Sequence, residues 1–111
     1  MKYYIAGPMT GLPGFNFQAF DAVEARLRAA GVDAVNPAAL DRRDYPGHDF
    51  SNNELPVDFD YNERLRIDLA EIQECTGVVL LPGWNYSKGA KIELAECLRL
   101  GLEIVIEAHN V

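Results

Sequence analysis

The chain is poor in positive charge. Ten Lys and Arg face seventeen Asp and Glu, for a formal net charge of -7. An acidic protein repels a nucleic-acid backbone, which argues against DNA or RNA polymers as partners. A mononucleotide needs only a local cluster of donors and stays open. Histidine and cysteine are scarce too, two of each. His48 and His109 are isolated, no Cys/His metal spacing occurs, and neither a metal nor another cofactor is expected. Cys75 and Cys97 leave room for a single disulfide, but apolar neighbours in helical stretches favour reduced core thiols. No apolar run approaches the roughly 20 residues of a membrane span, so no membrane partner is expected. No charged-then-apolar leader opens the sequence, and the expectation is a soluble, cytoplasmic protein.

The chain has 111 residues and is 49% hydrophobic. That is enough for one domain with one modest core. Lys2 to Ala6 reads as a first buried strand, stopped by Gly7-Pro8 and followed by a glycine-rich loop. Asn16 is a candidate N-cap. Phe17, Phe20, Val23, Leu27 and Ala30 recur at helical spacing, and Gly31 sits where a C-terminal cap belongs. Val32 to Val35 is a second strand, ended by Asn36-Pro37. Residues 38–57 show little periodicity and read as a long loop, of the kind that often carries function. Its Arg42, Arg43, His48 and Asp49 read as solvated charges. Asp60 to Glu63 fits a capping box that opens a helix to about Cys75.

Gly77 to Leu81 is a continuous apolar run, as in a strand covered on both faces. Ser87 caps a helix to about Leu100, and Glu103 to Ile106 is the last strand. The order implies an α/β fold: a single domain with a Rossmann- or flavodoxin-like parallel sheet flanked by helices. Ligands in such sheets bind outside the carboxyl ends of the strands. Those ends carry Gly7 to Gly11, Asn36-Pro37 and Pro82 to Ser87.

The stretch from Leu80 to Glu93 organises the rest. It reads as a strand end, a glycine-bearing turn and a helix start that aims free N–H groups at a pocket. Glu93 lies six residues after Ser87. It is either a plain solvated helix glutamate or a pocket carboxylate kept ionised by the nearby helix dipole. Asp68 shares the apolar stripe of Leu65, Leu69 and Ile72, where a carboxylate is unfavourable unless it is paired or lines a cavity. Two carboxylates at one pocket suit glycosidic chemistry, one attacking the anomeric carbon and one handling protons. Tyr4 is a core residue or a partner of that site. Ser87, Lys88 and Gly89, with Thr10-Gly11 opposite, can hold a phosphate through N–H and hydroxyl donors, though neither loop matches a Walker A or GxGxxG pattern. Trp84 and Tyr86 either stack on a base or pack the turn.

Three segments together resemble the nucleoside 2-deoxyribosyltransferase superfamily: Tyr4 to Gly11, Asp68 within Arg66-Ile67-Asp68-Leu69, and Ser87 to Ala95. The resemblance covers nearly the whole chain and is nearest to short phage and prophage members of unassigned function. It implies that Glu93 is the nucleophile at C1′ of a (deoxy)ribose, that Asp68 protonates the departing base, and that Tyr4 orients the nucleophile. It also implies a homo-oligomer, a dimer or higher, in which His109-Asn110-Val111 reaches a neighbour's pocket. Ser87 stands where nucleoside transferases carry a carboxylate and monophosphate hydrolases a phosphate-binding serine, which points to a monophosphate. Pro8 and Thr10 stand where those hydrolases place a serine and an arginine, leaving Lys88 or Arg42 and Arg43 to replace them.

The expected activity is therefore hydrolysis or transfer at the N-glycosidic bond of a (deoxy)nucleoside or its 5′-monophosphate. Glu93, Asp68 and Tyr4 are its catalytic residues. Gly7, Thr10, Gly11, Ser87 and Gly89 bind the substrate, and Trp84 and the 38–57 segment enclose the base. The alternative is a non-catalytic protein that sequesters a nucleotide.

Overall fold

A computed structural model describes residues 1–107. The expected contact of His109-Asn110-Val111 with a neighbour falls outside these residues. Four strands, β1 (Lys2–Ala6), β2 (Asp33–Val35), β3 (Gly77–Leu80) and β4 (Glu103–Ile106), form one all-parallel sheet in the order β2-β1-β3-β4. The helices are α1 (Phe17–Ala29), α2 (Pro37–Asp44), α3 (Tyr61–Ile72) and α4 (Lys88–Leu100). The architecture is Rossmann-like α/β, with the flavodoxin-type switch of direction between β1 and β3.

The period-2 geometry of a strand divides the core in two. Tyr3, Ile5, Val79 and Leu81 point to one face and pack with Phe17, Phe20 and Val23 of α1. Tyr4, Ala6, Val78 and Leu80 point to the other and pack with Ile72 of α3 and Cys97 of α4. Both cysteines are buried free thiols. Gly77 is required by packing, since a Cβ there would sit 2.4 Å from the Tyr3 ring. Tyr3 in turn donates a 2.7 Å hydrogen bond to Glu103 Oε1, joining β1 to β4 across β3.

The expected 38–57 loop is not a loop throughout. Asn36 accepts from the Ala38 N–H and Pro37 stands in the first turn, so α2 starts at the end of β2. A short 3-10 turn follows at Phe50–Asn52, capped by Asp49. Asn16 does not cap α1 through its side chain; it adopts a left-handed conformation and donates to the Pro8 carbonyl instead. Asp60 caps α3 as expected, accepting from the N–H groups of Asn62 and Glu63. No described helix is long and apolar enough to cross a membrane.

Candidate functional site

A cavity of about 600 Å³ opens at the carboxyl edge of the sheet. Its walls come from the loop after β1, the start of α2, the first turns of α3 and the start of α4. The volume falls in the range of small-molecule sites. Glu93 lies on the buried side of α4, between Ala90 and Cys97, so the helix that packs on the sheet carries it inward. Only 7% of its surface is exposed. Tyr4 of β1 is fully buried and donates a 2.8 Å hydrogen bond to Glu93 Oε2. Asp68, on the inner stripe of α3, lines the same cavity, close enough for its charge to act on both Glu93 and Tyr4.

The electrostatics differ from the sequence expectation. The helix dipole does not hold Glu93 ionised. Glu93 is the sixth residue of α4, beyond the first turn where the dipole acts. Burial raises its pKa well above the ordinary glutamate value, and the neighbouring Asp68 carboxyl raises it further, against the Tyr4 hydrogen bond. Burial, then repulsion from Asp41, pushes Asp68 up to about 7. Asp68 Oδ1 is sealed from solvent and has no partner while both acids are charged. A proton on the Asp68 carboxyl removes the charge that burial penalises, in line with the rise in its pKa.

Ser87 Oγ accepts from the Ala90 N–H at 3.1 Å and caps α4, leaving its own O–H free to donate into the cavity it lines. Lys88 and Gly89 line the same wall, as does Tyr86. Thr10 lines the opposite rim and pairs its hydroxyl with that of Tyr61 at 3.3 Å. Gly7 lines the floor, and its lack of a side chain also serves packing: a Cβ would stand 2.7 Å from Leu81 Cβ. Gly11 is exposed and does not line the cavity. Trp84 is not there either; it packs against the core face of Tyr4 and Leu80, because the turn at Gly83 directs it back onto the sheet. Arg42 pairs with Asp21 and covers the Phe17 ring, and Arg43 pairs with Asp44, so neither reaches the cavity. Among the described residues no cluster of His, Cys, Asp and Glu is arranged to hold a metal.

Two charged cavity residues have no counterpart in the sequence reading, Asp41 of α2 and Arg64 of α3. Arg64 is 6% exposed and Asp41 7%. Arg64 Nε donates to Asp41 Oδ1 at 3.0 Å, and Nη1 donates to Asp44 Oδ2 at 2.8 Å. Arg64 stands one turn before Asp68 on the same stripe, which is the signal that could have found it. Asp41 belongs to a helix that the sequence reading had as loop. Phe59 and Tyr61, stacked edge to face at 5.1 Å, supply the aromatic wall expected of Trp84.

A comparison with curated proteins returns no match. A family model for a domain of unknown function, DUF4406, matches residues 1–106, a span that contains every wall of the cavity. The chain therefore belongs to the DUF4406 family.

Proposed function

We propose that the protein cleaves or exchanges the N-glycosidic bond of a (deoxy)nucleoside or its 5′-monophosphate, in the manner of the nucleoside 2-deoxyribosyltransferases it resembles. One observation carries the reading: the Tyr4–Glu93 hydrogen bond and the Asp68 carboxyl stand together at a cavity of nucleoside size. With one proton between the two acids, the productive form has Glu93 charged and Asp68 protonated. The hydrogen bond from Tyr4 favours charge on Glu93. A Glu93 oxygen attacks C1′ as the C1′–N bond breaks, and the Asp68 proton goes to the leaving base. Water or a second base then attacks C1′, Asp68 takes the proton, and the Glu93 ester is released. Ser87, Lys88 and the N–H groups opening α4 suit the 5′ end of the ligand. Exposed Leu98, Val105 and Ile106, on and beside the edge strand β4, support a homo-oligomer, which light scattering tests.

The test incubates wild type and Glu93→Gln with a panel of (deoxy)nucleosides and monophosphates and reads free base by chromatography. Release by wild type and a loss of at least about 10³-fold in the variant is expected. Unchanged release by the variant removes Glu93 from the mechanism. The rise in the Glu93 pKa favours a second reading, a binding protein that sequesters the nucleotide, because a protonated glutamate does not attack. Calorimetry showing tight binding without base release selects that reading.

A further inference from the structure

Asp41 takes no part in the bond-breaking step, yet it lines the cavity with its side chain only 9% exposed. Arg64 holds one of its oxygens through a single hydrogen bond, and its Nη2 has no hydrogen-bond partner. Nε donates to Oδ1, and Nη2 stands 2.9 Å from the same atom. Oδ2 carries no described hydrogen bond and is not among the side-chain atoms sealed from solvent. A buried carboxylate with one oxygen fixed and the other unused is an acceptor awaiting a donor.

The surroundings indicate which donor. Asp41, Phe59, Tyr61, Met9 and Thr10 line both the main cavity and a recess of about 30 Å³ beside it. Aromatic rings next to a polar acceptor suit a flat heterocycle. Glu93 follows β3 and Asp41 follows β2, on opposite sides of β1. A ligand with its sugar over Glu93 therefore extends its base toward Asp41. We propose that Asp41, oriented by Arg64, accepts a hydrogen bond from the exocyclic amino group of the bound base, selecting amino-bearing bases over their oxo counterparts. The proposal rests on the nucleoside reading above. Cytosine and adenine present an N–H₂ donor at the position where uracil and hypoxanthine present a carbonyl oxygen. A carbonyl oxygen facing the carboxylate leaves both acceptors unpaired.

The experiment is calorimetric binding, which does not depend on turnover. Wild type and Asp41→Asn are titrated with matched pairs, deoxycytidine against deoxyuridine and deoxyadenosine against deoxyinosine, and with their ribose and 5′-monophosphate forms. Wild type is expected to bind the amino member about tenfold more tightly. In Asp41→Asn the Arg64 donors keep the amide oxygen and turn the amide N–H₂ toward the cavity, so the preference should invert. A structural role alone would not move that ratio. Asp44→Asn, which loosens Arg64 but leaves the Asp41 carboxylate, should retain the amino preference, and its loss there would overturn the proposal. So would a wild type that binds both members equally, or a variant that changes only the ribose-to-deoxyribose ratio, which would place Asp41 on the sugar. Binding of no panel member would remove the nucleoside reading along with this one, whereas binding without amino preference removes only the role of Asp41.

Discussion

Two acidic centres meet at the cavity and differ in the presence of a hydrogen-bonded cation. Asp41 and Asp44 share Arg64, whose side chain is 8% exposed. Glu93 has the Tyr4 hydroxyl as its hydrogen-bond partner, and Asp68 Oδ1 has none; neither acid is hydrogen-bonded to a cation among the described residues. The outcome differs accordingly. Asp44, hydrogen-bonded to Arg43 and Arg64, is held at about 2 and stays charged. Asp68, desolvated and hydrogen-bonded to no cation, is pushed up to about 7, with Arg64 acting on it only at a distance. Burial raises the Asp41 pKa as well, against the pull of Arg64, so the guanidinium offsets desolvation there only in part, while Asp68 and Glu93 have no hydrogen-bonded cation to offset theirs.

The largest expected effect comes from taking the cation away. Arg64→Met should lower stability by about 3–5 kcal/mol, read as a drop in the urea midpoint at pH 7, because it strands buried charge on Asp41. The double variant Asp41→Leu/Arg64→Met should recover most of that loss, since it leaves no unpaired acid there. A double variant no more stable than Arg64→Met would show that the centre holds the fold by packing rather than by charge.

Next comes the pH dependence of the cation-free pair. Burial places the folded pKa of Asp68 above its ordinary 3.8, at about 7, so the folded state holds more protons across that window. The resulting stability is complete below the unfolded pKa and declines as pH rises toward about 7, by at most about 1.4 kcal/mol per pH unit for one group. Asp68→Asn should flatten this decline relative to wild type in denaturant titrations between pH 4 and 7. An unchanged slope would mean that Asp68 is charged throughout.

Much of this contrast was invisible in the sequence, for a physical reason. Strands and helices follow from periodicity, which placed β1, β3, α3 and α4 well, whereas the joint site of Tyr4, Asp68 and Glu93 was implied by the family resemblance alone. The link between Asp41 and Arg64 spans 23 positions and two helices, and no local pattern encodes it. The helix α2 was hidden because its signals, Asn36 as cap and Pro37 in the first turn, resemble a strand stop. Trp84 was misplaced because a sequence gives the composition of a turn and not the direction in which its φ of 88° at Gly83 sends the next side chain. The shift at Glu93 depends on burial, which a dipole argument from helix position does not contain.

The smallest expected effect concerns the one neutral donor in the cation-free pair. Tyr4→Phe removes the 2.8 Å hydrogen bond to Glu93 and should cost about 1 kcal/mol of stability at neutral pH. It should also raise the pH at which base release begins, because Glu93 loses a group that favours its charge. A pH profile identical to wild type would leave the Tyr4 hydroxyl without influence on the nucleophile.

The position of β1 in the sheet has a consequence for how the chain acquires its shape. Strand β1 lies in the interior of the sheet, and its neighbour β3 begins only at Gly77. Tyr4 waits for Glu93, 89 positions later, and Tyr3 for Glu103, 100 positions later. Such distant closures are slow and leave apolar strands uncovered during synthesis.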